Sequence, residues 1–352
     1  MAKSDEQKQV MRDQWRDTLA NNTEAGGFFQ EIGKMHKAIY IPEKGPLGKT
    51  LVVAFDNLDD VRQDPNRMPW AIDFINSQGW SSLGVMAHGP TWYRDEDVFD
   101  FFDKLKADKF FDRFDRVAFY GTSMGGYAAC AFSAACPGAT VIAINPQATM
   151  DRDRADWDHR YKSSWRHNYY SRYGYAPDMV QAAEKAWIYY DARMPQDAMH
   201  ATLFQSPNII HMPCPFMGHG MLNVWREMGV LKQIVSGCIN DTVTPRDVHQ
   251  MLRKRHESKT YQKTILRYLE SAQKHALLVR FCKIILAKRG APHFRNAMQD
   301  SLKALGRKAR HHMALLTPLW LNRKLPAVAA PRCATPASGV RHHRSSPAQA
   351  MT

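Results

Sequence analysis

The sequence predicts an α/β protein built on a doubly wound, mostly parallel β-sheet. Short runs of β-branched and aromatic residues alternate along the chain with segments whose apolar residues have helical spacing. Several of these runs are apolar almost throughout, as strands buried on both faces of a parallel sheet must be. Regular alternation of strands and helices is typical of this fold class.

The predicted elements follow this alternation in order. The predicted strands are 37–42, 51–58, 81–87, 116–121, 140–146, 185–191 and 207–214. The predicted helices between them are 70–78, 95–110, 124–136 and 220–236. Within 95–110, Val98, Phe101, Phe102 and Leu105 fall at positions i, i+3, i+4 and i+7, which gives the helix one apolar stripe. Gly79 and Gly237 are predicted to end the helices that precede them.

Other segments depart from this alternation and define the predicted domain organisation. Residues 147–180 carry many charged and aromatic residues without apolar periodicity, which predicts a lid inserted between two strands. After residue 240 the pattern becomes helical and basic, with predicted helices over 245–256, 258–288 and 293–316. The prediction is therefore a lead-in of one or two helical turns and a loop (1–36), a sheet domain (37–240), a basic helical extension (241–325) and a disordered tail (326–352).

Composition indicates an ordinary globular protein. The chain has 352 residues, of which 44% are hydrophobic and 23% are charged, so wholesale disorder is excluded. No run approaches the ~18 apolar residues of a transmembrane helix, and the polar start lacks the apolar core of a signal peptide. Six cysteines without a CxxC motif indicate reduced thiols. We expect a cytoplasmic protein, alternatively one that is peripheral to the inner face of the membrane.

The positive charge lies in the C-terminal third. Residues 251–352 contain 21 Lys and Arg and three acidic residues, a net charge of +18, so the first 250 residues sum to −4. One interpretation is peripheral contact with an anionic membrane through residues 251–325. Another is a helical appendage that packs on the sheet domain with a solvated basic side. Binding of nucleic acid is the least favoured interpretation.

The most informative segment is Gly121-Thr122-Ser123-Met124-Gly125, which matches the pattern G-x-S-x-G. An apolar strand ends before it and a helix rich in small residues follows it. This strand–turn–helix setting places a serine on a sharp turn, where a Cβ on either flanking glycine would collide with the neighbouring chain. Ser123 is therefore the candidate nucleophile.

A serine nucleophile needs a base and an orienting acid. His219 stands between Gly218 and Gly220 after the strand 207–214, where a loop can present it as the base. Two aspartates follow the strand 185–191. Asp197, at the start of the next helix, is favoured as the acid, and Asp191, at the end of the strand, is the alternative.

Further site residues are predicted from their position at strand ends. The backbone N–H of Met124 is the first candidate oxyanion donor, and the second is Asn57, after the strand that begins at residue 51. Trp92, Tyr93 and Arg94 follow the strand 81–87 and are predicted to contact substrate at the same rim. The sequence has no Walker loop, no G-x-G-x-x-G and no zinc-ligand spacing, so neither a cofactor nor a metal is predicted.

Residues 37–237 resemble the α/β-hydrolase superfamily. The segments Gly121-Thr122-Ser123-Met124-Gly125-Gly126-Tyr127, Asn145-Pro146-Gln147 and Gly218-His219-Gly220 are similar to a bacterial branch of serine hydrolases often found beside surface-polysaccharide and glycosyltransferase functions. The HGGG loop of lipases is absent. The resemblance implies hydrolysis of an ester, thioester or amide, or acyl transfer, through a covalent acyl-serine.

Two hypotheses of function follow. The first is a serine hydrolase of esterase or thioesterase type, or an acyltransferase, that acts through acyl-Ser123 on a small-molecule or carbohydrate acyl substrate or an acyl carrier. The alternative is a non-catalytic protein that keeps this fold and uses its basic C-terminal helices to bind a membrane surface or a polyanion.

Overall fold

A computed structural model describes residues 4–306 of the chain. By the density of contacts, the chain divides into two compact units, Met1–Lys274 and His275–Thr352. The first unit contains the whole sheet and extends past residue 240, where the sequence predicts the end of the sheet domain. The predicted tail, 326–352, lies outside the described residues.

One eight-stranded sheet forms the centre of the first unit. Its strands are β1 (Phe28–Ile32), β2 (His36–Ile41), β3 (Thr50–Phe55), β4 (Ser81–Ala87), β5 (Arg116–Thr122), β6 (Thr140–Ile144), β7 (Lys185–Tyr190) and β8 (Ile209–Pro213). Their order is β1-β2-β4-β3-β5-β6-β7-β8. The six strands from β3 to β8 run parallel. At one edge, β2 pairs antiparallel with β4, and β1 pairs antiparallel with β2. The predicted doubly wound, mostly parallel sheet is confirmed.

Seven of these strands are predicted from the sequence, and β1 is not. The sequence pattern of Phe28–Ile32 is weak because three of its five residues are exposed, as expected for an edge strand. It is held by antiparallel pairing with β2, from Phe28 opposite Tyr40 to Ile32 opposite His36. A partner strand, rather than local sequence, therefore decides this element.

The helices within the described residues are α1 (Asp5–Glu24), α2 (Ile72–Ser77), α3 (Glu96–Ala107), α4 (Met124–Phe132), α5 (Arg152–Ala155), α6 (Ala176–Met179), α7 (Pro195–Thr202), α8 (Met221–Glu227), α9 (Leu231–Ile239), α10 (Pro245–Met251), α11 (Lys259–Ser271), α12 (His275–Lys288) and α13 (Pro292–Ala304). Short 3₁₀ segments lie at Pro46–Lys49, Asp60–Arg62, Phe111–Arg113, Ser133–Ala135, His159–Arg166, Val180–Ala182 and Leu252–Glu257. Helices of the first unit cover both faces of the sheet.

Several predicted helices have different bounds. The lead-in is not one or two turns but the 20-residue α1. The predicted helix 220–236 is two helices, because Gly229 adopts φ +67° between α8 and α9, and Gly237 lies inside α9. Likewise, 258–288 is interrupted near Gln273, which adopts φ +51°. Helix α13 ends at Ala304, and residues 307–316 lie outside the described range.

Alternate side chains of the strands build a separate apolar layer on each face. On the face of α3 and α4, Phe55, Phe102 and Phe132 stack, with ring centroids 4.5 Å apart for the last two. On the face of α8 and α9, Tyr189 and Trp225 meet edge to face at 4.9 Å. Burial of both faces explains why the strands are apolar almost throughout.

The predicted lid is the excursion between β6 and β7, which contains α5, the 3₁₀ segment His159–Arg166 and α6. Arg94 belongs to the body of the unit and holds the lid by donating to the carbonyl oxygens of Asn168, Arg172 and Tyr173. On the lid itself, Arg172 pairs with three carboxylates of α3, namely Glu96, Asp100 and Asp103. The lid is thus docked against the body by arginines on both sides of the contact.

The described part of the basic region is helical, as predicted. Helix α11 begins at the N-cap Ser258, whose hydroxyl donates to Glu227 of α8 at 2.7 Å, so α11 is fixed to the sheet unit. In the second unit, Phe281 of α12 and Phe294 of α13 lie 6.0 Å apart. Over residues 4–306, no helix is both long and apolar enough to cross a membrane.

Candidate active site

Ser123 lies in the turn between β5 and α4 in a conformation that residues other than glycine rarely adopt. Its φ is +53° and its ψ is −121°. The N–H of Ser123 donates to the carbonyl oxygen of Ile144 on the neighbouring strand β6 at 2.9 Å. The turn therefore sits at the carboxyl end of a central strand, where the sequence pattern predicts it.

The two glycines of the motif allow this turn to pack against its surroundings. A Cβ on Gly121 would collide with the carbonyl oxygen of Gly125, and a Cβ on Gly125 would lie 2.5 Å from the carbonyl oxygen of Phe55. Those oxygens belong to the backbone, so neither could move aside without shifting the turn or β3. The glycines thus let α4 begin directly beside the end of β3.

The loop that carries His219 is held in place by two buried polar side chains. Asp191, just after β7, accepts the backbone N–H of Phe216 at 3.0 Å and that of Gly218 at 2.6 Å. Asn145, just after β6, donates from Nδ2 to the carbonyl oxygen of His219 at 2.6 Å. These hydrogen bonds therefore fix a loop that the glycines on either side of His219 would otherwise leave flexible.

Ser123, His219 and Asp197 form one continuous chain of hydrogen bonds. Nε2 of His219 lies 2.9 Å from Oγ of Ser123. Nδ1 of the same ring lies 3.0 Å from both carboxylate oxygens of Asp197. Because a carboxylate only accepts, Nδ1 carries a proton, and in the neutral ring Nε2 is free to accept from the serine hydroxyl. These three residues are 96 and 22 positions apart in the chain.

Asp197 is buried at the start of α7 and is ionised at neutral pH. Burial by itself raises the pKa of a carboxyl group, but the hydrogen bond from His219 and the positive charge of Arg160 outweigh it, so the pKa of Asp197 is below its ordinary value. The other candidate acid, Asp191, accepts backbone N–H groups of the His219 loop and also that of Arg193, in its own turn after β7, at 2.8 Å. The structure thus brings Asp197, and not Asp191, to the imidazole.

Further polar side chains surround Ser123. The Tyr161 hydroxyl, from the lid, lies 3.2 Å from Nε2 of His219. Nε2 of Gln147 lies 3.5 Å from Oγ of Ser123, and Oε1 of Gln147 accepts from the indole N–H of Trp92 at 3.2 Å. Gln147 belongs to the segment Asn145-Pro146-Gln147, but the sequence pattern predicts no role for it. Its position shortly after a strand beside the elbow is the signal that could have found it.

The lid also contacts the acid. Arg160 donates from one terminal nitrogen to Asp197 at 2.6 Å and from its other nitrogens to Asp158 at 2.7–3.2 Å. Asp158 lies 3.0 Å from Nε2 of His200, whose Nδ1 accepts the backbone N–H of Ala148 at 3.2 Å. Charge-assisted bonds to His200 and Arg160 hold the pKa of Asp158 well below its ordinary value despite its burial. Nothing in the sequence pattern indicates this network.

The predicted oxyanion donors differ in their surroundings. Met124 is the first residue of α4, so its backbone N–H has no partner within the helix. The backbone N–H of Asn57 donates to Oδ2 of Asp60 at 3.0 Å. In this structure the Asn57 donor is therefore engaged.

Of the predicted substrate contacts, Trp92 lies beside the site and the other two are engaged elsewhere. Trp92 is fully buried and packs on Tyr161 with ring centroids 5.2 Å apart. Tyr93 is fully buried and donates to the carbonyl oxygen of Asp56 at 2.9 Å. Arg94 is buried, and its donors go to the lid segment 168–173. Both side chains thus support the architecture around the site.

Residues 4–306 contain no group of three or more His, Cys, Asp or Glu side chains arranged to hold a metal ion. Within the same range, no disulfide joins the cysteines Cys130, Cys136, Cys214, Cys238 and Cys282. Cys130 and Cys214 are fully buried, which raises the pKa of each thiol and keeps it protonated. The nucleophile that the geometry offers is Ser123.

The family follows from a comparison of the sequence with family profiles. The profile of the Alpha/beta hydrolase family matches residues 54–280, well over half of the chain. The chain belongs to the alpha/beta hydrolase family. The match begins in β3 and includes the elbow, the lid, Asp197 and His219. No protein among curated sequences matches the chain.

Three solved structures similar to this chain are remote from it in sequence. One is a mutant of the capsule O-acetyltransferase of Neisseria meningitidis serogroup A in complex with CoA, at 11% identity, 64% of this chain, 99% of that chain and a TM-score of 0.42. A thermostable esterase from Pseudomonas putida ECU1011 has 12% identity, 67% and 97% coverage and a TM-score of 0.40. An S-formylglutathione hydrolase from Agrobacterium tumefaciens has 12% identity, 61% and 94% coverage and a TM-score of 0.37.

Gly125→Ala tests the close packing of the elbow on β3. Helix propensity alone would favour alanine by about 1 kcal/mol, but the added Cβ meets a backbone oxygen at 2.5 Å. We expect a net loss of roughly 1–3 kcal/mol in the free energy of unfolding, measured by urea denaturation. Gly290→Ala, whose Cβ meets nothing within 4 Å, is the control and should change stability by less than ~0.5 kcal/mol. Equal stability of the two variants would contradict the packing described here.

Proposed function

We propose that this alpha/beta hydrolase is a serine hydrolase of esterase or thioesterase type, or an acyltransferase, that acts through an acyl-Ser123 intermediate. The observation that carries the proposal is the hydrogen-bond chain from Ser123 Oγ through His219 to Asp197, with distances of 2.9 and 3.0 Å. These are the distances at which a base can take the proton of a nucleophile and an acid can orient the base.

The first half of the proposed reaction acylates the serine. As Oγ of Ser123 attacks the carbonyl carbon, Nε2 of His219 takes the hydroxyl proton, and the carbonyl electron pair moves to the oxygen. Asp197 stabilises the imidazolium that forms. When the tetrahedral intermediate collapses, the bond to the leaving alcohol or thiol breaks, and His219 returns the proton to that group.

The second half releases the acyl group. Water, or the hydroxyl of an acceptor molecule, gives its proton to His219 and attacks the acyl carbon, after which Ser123 leaves with that proton. The N–H of Met124 and the positive end of α4 face the developing oxyanion. The backbone N–H of Asn57 could serve as the second oxyanion donor only after its hydrogen bond to Asp60 breaks.

The surroundings of Ser123 support a substrate with a flat or ring-shaped moiety, such as a carbohydrate ester. Tyr161 lies beside the serine and is partly exposed, and it packs on the fully buried Trp92. The accessible part of such an aromatic ring suits the apolar face of a sugar ring. Ser123 is only 8% exposed beneath the lid. Its burial limits the access of water to an acyl-serine. This limit supports transfer to a bound acceptor hydroxyl as an alternative to hydrolysis.

Ser123→Ala tests the nucleophile. We expect the variant to lose all covalent labelling by a fluorophosphonate probe, because the reactive oxygen is absent, while its thermal unfolding midpoint stays close to that of the wild type. Intact-mass spectrometry measures the labelling. Ser133→Ala is the matched control, since this buried hydroxyl donates to the carbonyl of Cys130 at 2.8 Å, away from the triad, and the variant should label normally. Labelling that persists in Ser123→Ala would refute the proposal.

Asp197→Asn and Asp191→Asn separate the two candidate acids. The first change removes the charge that stabilises the imidazolium, and we expect the rate of ester hydrolysis or labelling to fall about 10³–10⁴-fold with the fold intact. The second change removes an acceptor of loop N–H groups, so we expect a lower unfolding midpoint and a smaller loss of rate. A larger loss of rate in Asp191→Asn at unchanged stability would reverse the assignment.

We keep peripheral contact with an anionic membrane as a second proposal, on the evidence of helix α12. Leu277 and Ile284 are 50% and 58% exposed and lie two turns apart, with the exposed Arg280 between them. Apolar and cationic side chains on one face favour an anionic lipid surface. Sedimentation with vesicles that contain phosphatidylserine should retain the wild type and lose Leu277→Ser/Ile284→Ser. Equal retention on neutral vesicles, or by both proteins, would contradict this proposal.

A further inference from the structure

The acid of the proposed site, Asp197, forms a salt bridge with the lid arginine Arg160. Arg160 lies between two buried carboxylates and bonds to both, at 2.6 Å to Asp197 and 2.7 Å to Asp158. The side chains of both aspartates are almost completely buried, whereas that of Arg160 is about one-fifth exposed. A guanidinium can bridge two carboxylates in this way because its donors form a planar fork.

The far end of the bridge is also fixed. Nδ1 of His200 accepts a backbone N–H, so in the neutral ring the proton is on Nε2 and points at Asp158. Burial is the main cause of a lowered pKa of His200, so this histidine is neutral at pH 7. Asp158 is thus held by a neutral donor on one side and by Arg160 on the other.

We propose that Arg160 is a positioning residue that couples the lid to catalysis. It holds Asp197 against His219, and its positive charge reduces the electrostatic attraction between the Asp197 carboxylate and a proton on the imidazole. The proposal rests on the proposed function of Ser123, His219 and Asp197. It adds that the lid segment His159–Arg166 supplies, through Arg160, the counter-ion of the acid.

The electrostatic consequence has a definite sign. The charged or titratable groups that face Asp197 and His219 are Arg160, Asp158 and Tyr161 from the lid, Ser123 from the elbow, His200 from the next turn of α7 and Asp191 from the end of β7. Arg160 is the cation of this set that bonds to Asp197. Removing it leaves two buried carboxylates without their shared counter-ion, so protonation of His219 becomes easier and the free base is lost at a higher pH.

The test measures the rate of fluorophosphonate labelling of Ser123 against pH. In Arg160→Met we expect the acid limb of the profile to move to higher pH by about one unit. Since the rate falls tenfold per unit below the limb, this shift means about a tenfold lower rate at a fixed acidic pH. Arg160→Lys keeps the charge but cannot bridge both carboxylates, so its limb should stay close to that of the wild type while its plateau rate falls.

Arg172→Met is the matched control. Arg172 is also a lid arginine that pairs with carboxylates, but its partners Glu96, Asp100 and Asp103 are on α3 and belong to the lid's docking contact. Arg94 still bonds to three carbonyl oxygens of the lid when Arg172 is removed. We therefore expect the lid of Arg172→Met to stay docked and the position of the acid limb to be unchanged. An equal shift in Arg172→Met, whose arginine does not contact Asp197, would mean that the bridge from Arg160 to Asp197 does not set the limb, which overturns the proposal.

The outcomes separate this inference from the function on which it rests. A wild type that is not labelled at any pH refutes the serine mechanism. A wild type that is labelled, with the acid limb unmoved in Arg160→Met, overturns only the role of Arg160. If Arg160→Met fails to fold by circular dichroism, Arg160→Lys decides: a plateau rate equal to that of the wild type overturns the role of the bridge.

Discussion

The backbone conformation of Ser123 is the constraint on which the rest of the site depends. A positive φ at a residue with a side chain is unfavourable by itself and persists only where its surroundings fix it. Here β5 and α4 are joined by this one residue, the N–H of Ser123 bonds to β6, and Gly125 lies against the end of β3. The strain is therefore distributed over three neighbouring strands of a sheet that is buried on both faces.

This placement determines where every other group has to come from. The loops that follow parallel strands meet at one edge of a sheet, so residues after β6, β7 and β8 reach the elbow although they are distant in sequence. Asn145, Asp191 and Asp197 follow β6 or β7, and His219 follows β8. Two of the carboxylates then have separate tasks: Asp191 fixes the loop through backbone N–H groups, and Asp197 contacts the imidazole.

The lid covers this edge of the sheet and also brings a positive charge to it. Arg94 and Arg172 attach one part of it to the body, while Arg160 and Tyr161 reach the acid and the imidazole. Two buried carboxylates beside each other would be costly without a counter-ion. Arg160 supplies that counter-ion from a segment outside the sheet, so the electrostatics of Asp197 depend on the docking of the lid.

The sequence by itself determined the fold class, seven of the eight strands and the elbow, because these depend on local properties: apolar runs, helical spacing and glycines at a sharp turn. It could not determine β1, which exists through pairing with β2, nor the break at Gly229. Tertiary structure alone decided which aspartate meets His219, since Asp191 and Asp197 are only six residues apart and both follow β7. It also placed Arg160, Gln147 and Tyr161, because contacts between distant segments leave no periodic signal in the chain.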